Sequence, residues 1–140
     1  MESSSSASTP SALRAGLTAV AVAATMAAVS ACTPSPDEIT PAQLRAALDQ
    51  GQQLVVVDVR EDGEWAGGHM RAARSVPLSR MSGTLDGVDK GAAVVLYCRS
   101  GKRSMRALEM MKGAGYTNVK SLAGGISAWQ SEVDPELTRY

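Results

Sequence analysis

Two continuous apolar runs stand out from an otherwise mixed chain: Leu54-Val55-Val56-Val57-Asp58-Val59 and Ala92-Ala93-Val94-Val95-Leu96-Tyr97. Neither alternates with polar residues. Runs of this kind form strands covered on both faces, as in a parallel sheet. Asn118-Val119-Lys120-Ser121-Leu122 is a shorter third strand, and Ser75-Val76-Pro77 a brief one. Between the strands the spacing turns helical. Thr40 can cap a helix, Pro41 fits its first position and Gln43 can complete a capping box. Leu44, Ala47 and Leu48 then share one face, and Gly51 ends the helix. A short helix is expected over 61–66, broken by Gly67-Gly68, and a weak one over 78–85. A longer helix over 104–114 places Met105, Leu108, Met111 and Lys112 at helical spacing, and a last helical turn after Gly124-Gly125 carries Ile126 and Trp129. Strands alternating with helices predict an α/β domain, a central mainly parallel sheet flanked by helices.

The stretch before Thr40 has a different character. From Ala15 to Val29 the chain is Ala/Val-rich and uncharged, with Arg14 before it and Val29-Ser30-Ala31-Cys32 closing it. A basic flank, an apolar core and a small-residue cleavage site are the three parts of a secretory signal. The apolar stretch is shorter than the ~20 residues a membrane-spanning helix needs. The closing tetrapeptide resembles a bacterial lipobox, which implies a signal peptide over 1–31 and lipid on Cys32. The alternative is an ordinary secretory signal with an incidental Cys32. Thr33-Pro34-Ser35-Pro36 reads as an extended tether, assigned to 32–38, ahead of a domain over 39–131 and a tail over 132–140. The remaining length suits one domain. Formal net charge is zero and no aromatic cluster stands out, so neither supports nucleic-acid binding. With Cys32 lipidated, Cys98 is the only other thiol and cannot form an internal disulfide. A lone thiol outside the cytoplasm suggests use rather than ornament.

Cys98 ends the second apolar run and opens a polar loop, Arg99-Ser100-Gly101-Lys102-Arg103, with a helix following at once. Ligands of parallel α/β sheets sit beyond the carboxyl ends of the strands, where Cys98 falls. Loop amides and a helix N-terminus favour an anion, and such surroundings bring a thiol from ~8.5 into a range of roughly 3.5–7.5. Gly101 lets the loop curl through positive φ. Lys102 and Arg103 offer charge to an anionic ligand. Arg99 can do the same or point outward. Ser100 and Ser104 can donate hydroxyl hydrogen bonds, and Ser104 is placed to cap the helix. His69 is the only histidine, so no histidine-based metal cluster can form. It is expected to bridge backbone groups. Met105, Met110 and Met111 are expected in the core, as are Trp65 and Trp129.

Tyr97-Cys98-Arg99-Ser100-Gly101-Lys102-Arg103-Ser104 resembles the active-site loop of the rhodanese (sulfurtransferase) family. Asp58-Val59-Arg60, Glu64-Trp65 with Gly68-His69, Val76-Pro77-Leu78, Gly115-Tyr116, and Leu122-Ala123-Gly124-Gly125-Ile126 with Trp129 resemble further family signatures in the expected order. The resemblance implies a three-layer rhodanese-like domain in which Cys98 takes a sulfane sulfur as a persulfide and passes it to a thiol or cyanide. It also implies a cradle of amides from residues 99 to 103 around that sulfur, and a supporting role for Asp58 and Arg60. Related phosphatases and arsenate reductases have five residues between Cys and Arg, whereas four separate Cys98 from Arg103, a loop sized for sulfur. Two departures fall outside the loop: Ala72 stands at a turn glycine of the family, and Ser75 where asparagine is common. The expectation is a lipid-anchored, extracytoplasmic sulfurtransferase without metal or organic cofactor. Its partners are a small anionic donor, a thiol or cyanide acceptor or a partner protein thiol, and the membrane. A non-turnover persulfide relay and an arsenate- or phosphate-ester enzyme are the alternatives.

Overall fold

The computed structural model describes residues 35–137; the expected signal peptide over 1–31 and Cys32 lie outside the described residues. Five parallel strands form one sheet in the order β1-β5-β4-β2-β3: β1 Glu38–Ile39, β2 Leu54–Asp58, β3 Ala73–Ser75, β4 Ala93–Tyr97 and β5 Val119–Leu122. The helices are α1 Pro41–Asp49, α2 Asp62–Ala66, α3 Lys102–Gly113 and α4 Gly125–Glu132.

The two apolar runs occupy the sheet interior because neither of their faces meets water. Val57, Val59, Val94, Leu96 and Cys98 turn to one side, where they meet Leu108 and Met111 of α3 together with Met81, Leu85 and Tyr116. Val56, Val95 and Tyr97 turn to the other, against Leu44 of α1 and Ile126 and Trp129 of α4. The result is a three-layer α/β domain, as expected. Each fully buried Leu or Met of this kind contributes on the order of 1.5–3 kcal/mol.

Local chemistry sets the ends of the elements. The Thr40 hydroxyl accepts from the Gln43 amide at 3.1 Å, and the Gln43 side chain accepts from the Thr40 amide at 3.0 Å. This reciprocal cap starts α1 where the sequence placed it.

Six expectations need correction. Residues 78–85 form only a short 3₁₀ turn, Leu78–Arg80, because Met81 and Leu85 reach into the core from an irregular path instead of sharing a helical face. The brief strand lies at Ala73–Ser75, not 75–77: Val76 and Leu78 have already left the ladder to hydrogen-bond the Asp58 and Val59 carbonyls. α3 begins at Lys102 with Gly101 as its cap at φ 103°, so Ser104 lies inside the helix and does not cap it. Met110 projects outward, since the buried face of α3 runs through Ser104, Ala107, Leu108 and Met111. Part of the expected tether belongs to the sheet: Glu38 and Ile39 pair with Ser121 and Leu122, and Asp37 forms an ion pair with Lys112. At the other end Val133 and Leu137, assigned to the tail, pack against the α1–α4 core.

Candidate active site

β4 ends at Tyr97, in register with Asp58 of β2, and the next residue is Cys98. The chain then turns through Arg99 and Ser100 into Gly101, whose positive φ starts α3. Cys98 is only 1% exposed. Its Sγ accepts the Gly101 amide at 3.1 Å and lies 3.6 Å from the Ser104 hydroxyl. Burial pushes the thiol pKa up. The Ser104 amide and hydroxyl, with the Gly101 and Ser100 amides, outweigh burial and hold it below the ordinary thiol value. Of the amides of residues 99 to 103, that of Gly101 makes the hydrogen bond to the thiol.

Ser104 ties this cradle to the sheet. Its buried hydroxyl lies 3.0 Å from the Gly101 carbonyl and 2.7 Å from the Ser121 hydroxyl. A hydroxyl has one proton and two lone pairs, so Ser104 donates to the Gly101 carbonyl and can accept from the Ser121 hydroxyl at the same time. Ser121 escaped the sequence reading. The only signal was a small polar residue in a strand that otherwise buries Val119 and Leu122.

α4 closes the loop from the far side. The Ile126 amide donates to the Cys98 carbonyl at 2.8 Å, and the Ser127 amide to the Arg99 carbonyl at 3.2 Å. A Cβ on Gly125 would meet both carbonyl oxygens at 2.5 Å, so only glycine permits this approach. Amides at the first turn of a helix lack intrahelical partners; here two of them satisfy the carbonyls of the cysteine loop.

The basic residues separate into three situations. Arg99 and Lys102 are exposed on the loop surface. Arg103 is one-third exposed, and both terminal nitrogens of its guanidinium donate to Glu64 of α2 at 2.7 Å. The Arg103 hydrogen bonds hold the Glu64 carboxyl at about 2, well below its ordinary 4.5. Arg60 is buried with Asp58: its Nε and one terminal nitrogen donate to the carboxylate at 2.7–3.0 Å, and that nitrogen also reaches the Gly68 carbonyl at 2.8 Å. The Asp58–Arg60 pair ties the end of β2 to the turn after α2. His69 stacks on Trp65 with ring centroids 3.5 Å apart, and its Nδ1 lies 3.0 Å from the Trp65 carbonyl. Trp129 is a core anchor; Trp65 is only partly buried. Among the described residues, no cluster of three or more His, Cys, Asp or Glu side chains is placed to hold a metal ion.

Fold and site together define an α/β domain with a thiol whose anion is stabilised by hydrogen bonds at the carboxyl edge of a parallel sheet. Residues 40–132 match the family model described as the rhodanese-like domain, and the chain belongs to that family. It is 34% identical over 93 residues to a sulfurtransferase of Allochromatium vinosum, covering 66% of this chain and 87% of that protein. It is 38% identical over 104 residues to MoeZ of Mycobacterium tuberculosis, a protein named a probable adenylyltransferase/sulfurtransferase. That match covers 73% of this chain and 26% of MoeZ, so the chain spans about a quarter of that relative's length. Among solved structures, a rhodanese-like domain protein of Staphylococcus aureus superposes with a TM-score of 0.64 at 27% identity, covering 74% of this chain and 98% of that one.

Proposed function

We propose that the chain is a rhodanese-type sulfurtransferase with Cys98 as nucleophile. The observation that carries this reading is the Gly101 amide 3.1 Å from a buried Sγ whose thiol is biased toward the thiolate. The Cys98 thiolate attacks the sulfane sulfur of thiosulfate, the bond between the two sulfurs breaks, and its electron pair leaves with sulfite. Cys98 then carries a persulfide anion, so three negative charges enter and three leave. A persulfide donor reacts in the same way and releases a thiolate. Cyanide or an acceptor thiolate attacks the outer sulfur and regenerates the Cys98 thiolate. The helix start and the amides of the loop stabilise the anionic sulfur throughout, and the exposed Lys102 and Arg99 add positive charge to the loop surface. The A. vinosum relative, which shares nearly its whole length with the chain, supports this reading.

The test is an intact mass of protein purified without reductant and then exposed to thiosulfate. A gain of one sulfur atom, removed by cyanide and absent in Cys98→Ser, is the expected result, with thiocyanate formed over repeated turnovers. A persulfide that forms without turnover would turn the reading into a relay. Hydrolysis of phosphate esters or reduction of arsenate above the Cys98→Ser background would overturn it. The lipobox-like sequence ending at Cys32 extends the proposal to a lipid-anchored, extracytoplasmic protein. The mass of the N-terminal peptide from membrane fractions checks that extension.

A further inference from the structure

The basic loop does not present three free cations. Both terminal nitrogens of the Arg103 guanidinium are engaged at 2.7 Å by the two Glu64 oxygens, and Glu64 Oε2 also lies 3.2 Å from the Glu61 amide that starts α2. The carboxylate is therefore held from two sides, and the guanidinium fork is filled in the bidentate manner it would use for an oxyanion. Behind the site, Asp58 cancels the buried charge of Arg60. The charges left to meet a donor are Arg99 and Lys102, both exposed, while Arg103 carries the Glu64 carboxylate against it.

We infer that Glu64 is a specificity-determining residue, which by occupying Arg103 turns the site against dianionic sulfur donors in favour of donors with a single negative charge. The inference rests on the sulfur-transfer reading above. It names the donor class that reading leaves open: monoanionic persulfides and thiosulfonates before thiosulfate.

Two probes isolate charge from chemistry. Thiosulfate and methanethiosulfonate both deliver one sulfane sulfur to the Cys98 thiolate, and the sulfur–sulfur bond breaks with its electron pair on sulfite or on methanesulfinate. The first probe carries two negative charges and the second one. In Glu64→Gln the pair becomes cationic, and the kcat/KM ratio for thiosulfate over methanethiosulfonate is expected to rise about fivefold at low ionic strength, the scale of a close charge interaction at a protein surface. The gain should disappear at about 1 M salt, where screening acts over roughly 3 Å. A merely structural role would lower both constants together and leave the ratio unmoved, and that result overturns the inference.

The double variant Glu64→Gln with Arg103→Gln serves where the single variant does not fold, because an amide pair can still hydrogen-bond and restores neutrality. Its ratio is expected to stay within about twofold of the original protein, whereas a roughly tenfold fall would show that Arg103 itself holds the dianion and would sink the inference. If neither donor loads Cys98 in the unmodified protein, the sulfur-transfer reading fails and takes this inference with it. If both donors load and the ratio alone does not respond, only the role of Glu64 fails.

Discussion

Gly125 and Cys98 lie so close that a methyl group on the glycine would stand 2.5 Å from the cysteine's carbonyl oxygen. Gly125 also has φ 61°, where a side chain is strained even in open space. Gly125→Ala therefore combines two penalties, and Gly87→Ala supplies the comparison, since Gly87 has φ 72° with no atom within 4 Å of the added carbon. Urea denaturation should show a loss of about 1–2 kcal/mol for Gly87→Ala, the cost of the left-handed conformation alone. Gly125→Ala should lose at least about 2 kcal/mol more, because the collision is with backbone that cannot rotate away. Equal losses would mean that the close approach is relieved without disturbing the loop.

The Ser104 amide and hydroxyl lead the groups that hold the Cys98 thiol below its ordinary value, against the upward push of burial. Ser104→Ala removes the hydroxyl and leaves the amide. The pH at which alkylation by iodoacetamide reaches half its maximal rate should move upward. Ser121→Ala should move it in the same direction by less, because its hydroxyl acts on sulfur only through Ser104 at 2.7 Å. An unchanged profile in Ser104→Ala would assign the depression to the loop amides alone.

Glu64 titrates at about 2 in the folded protein against an ordinary 4.5. A carboxyl with a depressed folded pKa contributes stability that is fully present above its unfolded pKa and is lost as pH falls through the folded one. The stability difference between the original protein and Glu64→Gln should hold steady above pH 5 and shrink progressively from about 4.5 to 2. The pair is one-third exposed, so solvent screening keeps the difference modest. Denaturation curves at a series of pH values measure it; a difference that is constant down to pH 2 would contradict the depressed pKa.

Asp58 and Arg60 are 0% and 1% exposed and bonded to each other. Removing one charge leaves the other buried without its counterion, which costs about 3–5 kcal/mol. Asp58→Asn and Arg60→Met should each lower the urea midpoint sharply. The double variant should recover part of the loss, because breaking such a pair costs more than replacing it. Additive losses would show that the two residues act separately.

The sheet and most of the site were legible because their signals are local. The unalternated runs at 54–59 and 92–97 became β2 and β4 nearly residue for residue, and Thr40, Pro41 and Gln43 marked the start of α1 by chemistry confined to a few residues. Most of the misses share one cause, dependence on a partner distant in sequence. Glu38–Ile39 is a strand only because Ser121 and Leu122 offer a free edge. Residues 78–85 are held by Met81 and Leu85 reaching into a core built by β2, β4 and α3, which no periodicity announces. Arg103 reads as a free loop cation until Glu64, 39 positions earlier, is brought beside it. Ser121 is only one strand residue among others until it meets Ser104. At the start of α3 the error ran the other way, since a glycine cap at positive φ let the helix begin inside the loop itself.

The order β1-β5-β4-β2-β3 sets the nucleophile's strand at the middle of the five. Sheets fray from their margins, and the margins here are the two-residue β1 and the three-residue β3. An opening that begins at either one must cross β5 or β2 before it reaches the segment that carries Cys98, so β4 amides should exchange with solvent only through whole-molecule unfolding. The reactive sulfur is thereby insulated from the domain's softest parts, and these outermost strands can drift in length or composition without moving it.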